Sequence, residues 1–431
     1  MRIIVAGAGM GGLVAAWKLG ELGHTVDVYE KETSIENMRY DWHDDLTPDI
    51  FEKLGLTPPK ENFAKPDWTF VAPFEKSILF LPIGDSKRDM SIERRPLNAL
   101  LYEKAKAVAN IHFGKIVEKP ILEGKKVVGC VVDGQQELCD LLIDSLGAFS
   151  ALRTMLPKDL GIETQPKDNE IFYAFRGYFN RIENAPVEEP YTHRVYMKHL
   201  GKQGISWCAL DHNPKLVDVL VGHVGSLSDE NFNKAITDLR NKNPWLGDKI
   251  ARGGFVCKIP VRRPLSKMVA DGYVAIGDSA FMTIPMLGSG MVPAMLSALI
   301  LADVVSCAKD MSAKSLWKYQ IRVFKEFGAQ HCGIEVLKNG ILDFSDDLIA
   351  WLFGSGIVSA EDMAGASIGK LIAISPSDIP AKLKIGWKKM PWLLKLNSLV
   401  SNAWAKVHIA EKIPTEYDED AISKWQMKID K

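Results

Sequence analysis

The chain has 431 residues, 47% of them hydrophobic, enough to bury a large core in about two or three structural units. Its 53 basic and 54 acidic residues nearly cancel, which excludes the global positive field behind non-specific nucleic-acid binding, so no nucleic-acid partner is expected. Cys130, Cys139, Cys208, Cys257, Cys307 and Cys332 show no CxxC pair or metal-ligand spacing; they read as reduced thiols of a cytoplasmic protein, and no metal site is assigned.

The opening Met1-Arg2-Ile3-Ile4-Val5-Ala6 enters a buried strand at once, which predicts no export signal. Gly7-Ala8-Gly9-Met10-Gly11-Gly12 and the helix formers Leu13 to Leu19 follow, giving strand, glycine turn and helix. Gly7 permits the tight turn, Gly9 lets backbone approach a pyrophosphate, and Gly12 lets the helix pack on the strand. Met10, inside the turn, is a further cofactor-binding candidate, and the positive dipole end of the helix faces the phosphates. A second strand, Thr25 to Glu30, ends where a carboxylate accepts hydrogen bonds from an adenosine ribose, with Lys31 beside it. The pattern predicts a bound dinucleotide, and Glu30 argues against a 2′-phosphate.

Tyr40, His43 and Asp44 form the densest group of proton-handling residues, placed where a loop after the second strand could reach a cofactor, and are candidate catalytic groups. They also read as a solvated acidic turn before a helix that Pro48 starts. Arg94, with Leu97 and Leu101, opens a predicted helix from Pro96 to Ala109, and on charge alone it reads as pairing with a nearby acid. Asp140 to Arg153 reads as an apolar strand, a glycine turn at Gly147 and a short helix. Alternation in Ile171 to Phe179 and Leu216 to Val221 predicts an antiparallel sheet. Trp207, in Ile205-Ser206-Trp207-Cys208-Ala209-Leu210, either faces a substrate or packs in the core.

Gly272 to Ala280 is a further strand that ends in Gly277-Asp278, after which Pro285, Gly288, Gly290 and Met291 lead into a long helix. The apolar stretch from Met282 to Val305 is interrupted by Pro285, Gly288, Gly290 and Pro293, so it is not read as a membrane span. From Met311 onward the pattern is helical. Residues 382–412 combine tryptophan, leucine and lysine, which suits either a bilayer interface, as a peripheral contact, or packing on the protein's own core; the second is favoured.

The N-terminal glycines, Asp140 to Arg153 and Gly272 to Met291 resemble the three fingerprints of FAD-dependent oxidoreductases of the geranylgeranyl-reductase and flavin-hydroxylase superfamily. The resemblance implies bound FAD, with Asp278 on the ribityl chain, Pro285 near the flavin ring and Gly288 to Met291 at its pyrimidine edge. Gly147, Gly277 and Arg94 fall with the same cofactor-contacting set. A helix N-terminus there offers backbone donors where negative charge develops on reduction.

Val261-Arg262-Arg263-Pro264-Leu265, and Leu316-Trp317-Lys318-Tyr319 through Phe327-Gly328-Ala329, are most similar to the geranylgeranyl reductases. That likeness implies hydride transfer from reduced flavin N5 to a carbon-carbon double bond of an apolar, isoprenoid or lipid-like substrate. The chain departs from the group's aromatic-Trp-Phe-Pro motif, of which Trp207 alone remains, and has Trp42 where several reductases have a flavin-facing cysteine. A flavin-dependent aromatic hydroxylase and a non-catalytic flavin-binding sensor or adaptor stay open as alternatives. With one dinucleotide fingerprint, the electron donor is either NAD(P)H visiting transiently or a ferredoxin-like protein.

The expected fold is α/β. A Rossmann-like FAD-binding domain takes residues 1–75, 90–165 and 255–310, an antiparallel-sheet substrate domain 76–89 and 166–254, and a helical C-terminal region 311–431.

Overall fold

The computed structural model describes residues 1–82, 90–188, 191–360, 362, 365, 368–372 and 377–431. Ile3, Ile4, Val5 and Ala6 are fully buried, as befits a continuous apolar strand in a parallel sheet. Their strand, Arg2–Ala6, pairs in parallel with Thr25–Glu30 on one side and Leu141–Asp144 on the other. Asn110–Phe113 extends the sheet beyond the former; Tyr273–Ala275 and the antiparallel Val269–Ala270 extend it beyond the latter. Parallel order brings the carboxyl ends of Arg2–Ala6, Leu141–Asp144 and Tyr273–Ala275 to one edge. Gly7, Gly147 and Gly277 turn the chain just beyond that edge with φ of 97°, 86° and 56°. Open α/β sheets bind their ligands in such a crevice.

Helix Met10–Glu21 packs against both Met291–Ser306 and Arg94–Lys106. Gly11 permits the first approach, because a Cβ there would stand 3.1 Å from the Ala294 carbonyl oxygen. Arg94–Lys106 begins two residues before the expected Pro96, which therefore sits in the first turn, where its missing N–H leaves no hydrogen bond unmade.

The second sheet has seven strands in the order Leu246–Pro260, Ile171–Arg181, Leu216–Val224, Gly204–Leu210, His193–Met197, Trp68–Val71, Ile78–Leu81. Every pairing is antiparallel except His193–Met197 with Trp68–Val71. The sheet thus reaches back to Trp68, before the boundary at residue 76, and forward to Pro260, past the one at 255. A small three-stranded sheet, His43–Leu46, Met90–Glu93 and Asn62–Ala64, occupies what the pattern alone leaves as an acidic turn. Pro48 caps the short helix Asp49–Leu54 that follows.

The C-terminal region is helical, and Ser312, Ser345 and Asp418 cap three of its helices by accepting backbone N–H bonds. Residues 382–412 divide. Helix Met390–Glu411 buries Val400, Ala403, Val407 and Ala410, packing on Ala329–Leu342 where Gly333 leaves room for Val407. Helix Ile379–Gly386 and the turn Trp387–Lys389 instead leave Ile379, Leu383, Ile385 and Trp387 exposed. Among the described residues no helix is long and apolar enough to cross a membrane; Met282 to Val305 contains only part of the 16-residue helix Met291–Ser306.

Candidate active site

The glycine turn is shaped by its own backbone. A Cβ at Gly12 would lie 2.0 Å from the Gly7 carbonyl oxygen, and one at Gly7 would lie 2.6 Å from that of Ser145, so neither position admits a side chain. Gly9 differs: no atom lies within 4 Å of where its Cβ would be. It caps the helix with no side-chain partner for the first-turn N–H groups, leaving space and free donors of the kind a pyrophosphate fills. Glu30 is buried and braces the turn, accepting from Ala8 N at 2.8 Å and Glu32 N at 3.0 Å. Met10 is buried in the first helical turn, while Lys31 is exposed.

Asp144 ties the second fingerprint to the third. It accepts from Ser150 Oγ, from Tyr273 Oη at 2.7 Å and from Leu146 N at 3.1 Å. Ser279 Oγ accepts from Gly147 N at 2.9 Å, and the buried Arg153 donates to the Ala148 and Ser279 carbonyls. Asp278 follows Gly277 into this crevice, and among the described residues no donor reaches its carboxylate. Burial pushes its carboxyl above the usual range against the opposing pull of Arg94. Gly290 makes room for it, since a Cβ there would stand 2.9 Å from Asp278 Oδ1. Gly288 has φ of 71° and lies against Ile259, and Pro285 is buried in the turn before Met291. These features fit a dinucleotide laid along the sheet edge with its far end at the start of Met291–Ser306.

From that end a line of charges crosses to the second sheet. Arg94 Nε lies 3.5 Å from Met291 Sδ and 3.0 Å from Asp44 Oδ2, and the guanidinium sits 4.6 Å from the Tyr40 ring centre. Asp44 also accepts from Trp42 Nε1 at 3.1 Å and from Arg176 Nη1 at 2.6 Å. Arg176 in turn grips Asp218 with Nε at 3.2 Å and Nη2 at 2.7 Å. Burial alone would raise the Asp44 carboxyl, but Arg94 and Arg176 outweigh it and hold the group below the usual range. Asp44 is therefore an anionic anchor for two arginines, not a group that carries a proton at neutral pH. Tyr40 keeps its proton, because burial raises its hydroxyl.

His43 alternates with Asp44 along the strand and points elsewhere, with Nε2 3.0 Å from Asp211 Oδ1. It lines a cavity of about 310 Å³ with Phe63, Ala64, Trp68, Leu210 and Asp218. Trp207 is half-buried; its Nε1 has no partner, its ring meets Trp68 edge-on, and Arg176 lies 5.2 Å from it. Trp42 stacks on Phe255 with 5.0 Å between ring centres, and Cys257 belongs to the same cluster. Arg176, Asp218, Asp211 and His212 were not singled out from sequence. The first two had a signal, a lone charge inside an otherwise apolar strand.

The profile of an NAD(P)-binding Rossmann-like domain matches residues 5–42. The digeranylgeranylglycerophospholipid reductase of Sulfolobus acidocaldarius is 23% identical over 99% of this chain and 96% of its own length. The chain is a relative of the geranylgeranyl-type reductases. A second such enzyme, digeranylgeranylglycerophospholipid reductase 1 of Methanopyrus kandleri, is 25% identical over 75% of this chain and 86% of its own. In fold, a geranylgeranyl bacteriochlorophyll reductase-like protein from Thermoplasma acidophilum superposes with a TM-score of 0.73 at 20% identity, over 92% of this chain and 98% of that one. As a geranylgeranyl-reductase relative the chain is a flavoprotein oxidoreductase, and the Rossmann-like unit, antiparallel sheets and helical C-terminal region agree with the expected fold class.

Proposed function

We propose that this reductase relative binds FAD and saturates carbon-carbon double bonds in an apolar, isoprenoid or lipid-like substrate. The observation that carries the reading is the unbroken line Met291, Arg94, Asp44, Arg176, Asp218, which joins the cofactor crevice to the apolar cavity. When bound, reduced FAD would supply the hydride that goes to one alkene carbon. The residues of this chain do the rest. Gly9 would admit the pyrophosphate in the turn that Gly7 and Gly12 shape, Glu30 would face the adenosine ribose, and Asp278 would take the ribityl hydroxyls. Met10, Lys31, Gly147, Gly277, Pro285, Gly288, Gly290 and Met291 complete the cofactor contacts.

Arg94 is held over Tyr40 by Asp44, so the Tyr40 hydroxyl is a positioned proton source beside the crevice. His43 is a polar part of the substrate wall and Trp68 an aromatic one, with Trp207 backing Trp68 edge-on. Exposed Trp387, Leu383 and Ile379 among Lys384, Lys388 and Lys389 suit peripheral contact of a cytoplasmic protein with an anionic bilayer, from which a lipid substrate would enter.

The test is anaerobic photoreduction of the flavin-loaded protein, followed by a polyprenyl lipid extract. Reoxidation without oxygen, with products heavier by two hydrogens, supports the reductase, and NAD(P)H and a reduced ferredoxin are then compared as donors. A flavin that stays reduced until air is admitted points to the aromatic hydroxylase; retained FAD with no turnover under any donor points to the sensor or adaptor.

A further inference from the structure

We propose that His43, Asp211 and His212 bind one divalent transition-metal ion at the wall of the cavity, leaving a coordination position open to it. The three residues come from two places in the chain. His43 lies on the strand His43–Leu46; Asp211 and His212 follow the strand Gly204–Leu210. His43 Nε2 and His212 Nδ1 approach the same oxygen, Asp211 Oδ1, at 3.0 and 2.9 Å, and one ligand atom from each residue lies within 4.8 Å of the others. Neighbouring nitrogen and oxygen ligands on an ion with bonds of about 2.0–2.2 Å stand roughly 3–3.5 Å apart. Small movements therefore turn this arrangement into a coordination face.

A second observation points to a cation. The Asp211 side chain is only 1% exposed, and its other oxygen, Oδ2, is buried with no hydrogen-bond partner. A carboxylate withdrawn from water needs positive charge or donors on both oxygens. The imidazoles are also pre-oriented. Phe63 stacks on His212 with 3.9 Å between ring centres at 22°, and meets His43 edge-on at 4.8 Å and 81°. Beyond them, Glu93 Oε1 lies 3.9 Å from His212 Nε2, near the nitrogen not turned to Asp211, where a carboxylate typically supports a ligating histidine.

Two imidazoles and one carboxylate suit zinc, cobalt or nickel, and three protein ligands leave a fourth position for water or another oxygen group. His43, Asp211 and His212 all line the cavity, so that position faces it. The half-exposed His212 provides the entry path. The site stands whether or not the cavity takes an alkene.

The test is calorimetric titration of the chelator-treated, flavin-loaded protein with zinc chloride. The expected result is one equivalent bound, lost in Asp211→Asn and in His212→Ala and weakened about tenfold in Glu93→Gln. His193→Ala, which changes the same cavity outside the trio, should bind as the unaltered protein does. Thermal melts confirm that each variant is folded. Absence of stoichiometric binding, or binding that persists in folded Asp211→Asn and His212→Ala, would overturn the site and leave a hydrogen-bonded trio.

Discussion

Replacing Arg176 with methionine removes the cation that Asp44 and Asp218 share. The two acids are not affected equally. Asp44 keeps Arg94 at 3.0 Å and the Trp42 indole at 3.1 Å. Asp218 is 3% exposed and loses both of the bonds that Arg176 makes to it, at 3.2 and 2.7 Å. Methionine preserves most of the stem, so the main change is a carboxylate stranded away from water. Breaking a buried ion pair from one side costs about 3–5 kcal/mol, and that is the expected loss for Arg176→Met. Adding Asp218→Asn removes the stranded charge, and the double variant should recover to within about 1–2 kcal/mol of the original. Urea unfolding of flavin-loaded protein, followed by tryptophan fluorescence, reads both. A single-variant loss below about 1 kcal/mol, typical of an exposed pair, would refute the reasoning. So would a double variant no more stable than the single.

Gly9→Ala should fold normally, since its Cβ meets no atom within 4 Å, yet lose its yellow colour; Gly12→Ala, 2.0 Å from the Gly7 carbonyl oxygen, should fail in folding itself. The ratio of flavin to protein absorbance, with a melting curve, separates the two, and a yellow Gly9→Ala would mean that the pyrophosphate does not lie there. Burial drives the His331 imidazole down to about 3. Because that folded value lies below the unfolded one, the unfolded chain gains a proton first as pH falls through about 6.5, and stability drops by up to about 1.4 kcal/mol per unit. His331→Leu should flatten this acid limb in urea midpoints taken at neutral pH and at about pH 5; an unchanged slope would assign the limb to other groups. Trp387→Ser with Leu383→Ser should reduce co-sedimentation with phosphatidylglycerol-containing vesicles while leaving the melt unchanged, as both residues are exposed. Unaltered sedimentation would remove the Ile379–Lys389 segment as a lipid contact.

What was legible in sequence was local. Strand, glycine turn and helix at Ile3 to Leu19 follow from adjacent residues, and so do the Gly147 and Gly277 turns, because apolar β-branched runs and positive-φ glycines act over a few positions. The same reasoning picked out Asp44 and His43 but left their surroundings open between a loop that reaches a cofactor and a solvated turn. An acidic run reads as solvated unless its counter-charges are known, and Arg94 and Arg176 are brought to Asp44 from 50 and 132 positions away by the pairing of separate sheets. The His43 contact with Asp211 spans 168 positions, beyond any ligand-spacing rule.

For residues 382–412 the difficulty is different in kind. One amphipathic pattern serves equally for a helix on its own core and a helix on a bilayer, since both bury an apolar stripe. The break between the two halves was nonetheless written in the chain. Pro391 cannot donate a backbone hydrogen bond and so belongs in the first turn of a helix, which is where it lies in Met390–Glu411. Reading it as a start signal separates a lysine-rich exposed turn, Trp387–Lys389, from a helix whose alanines and valines pack on Gly333 and its neighbours. Most of the exposed apolar side chains, Ile379, Leu383, Ile385 and Trp387, then fall in the first half, with Met390 and Leu394 continuing them into the first turns of the second, while the buried stripe of Val400, Ala403, Val407 and Ala410 faces the protein.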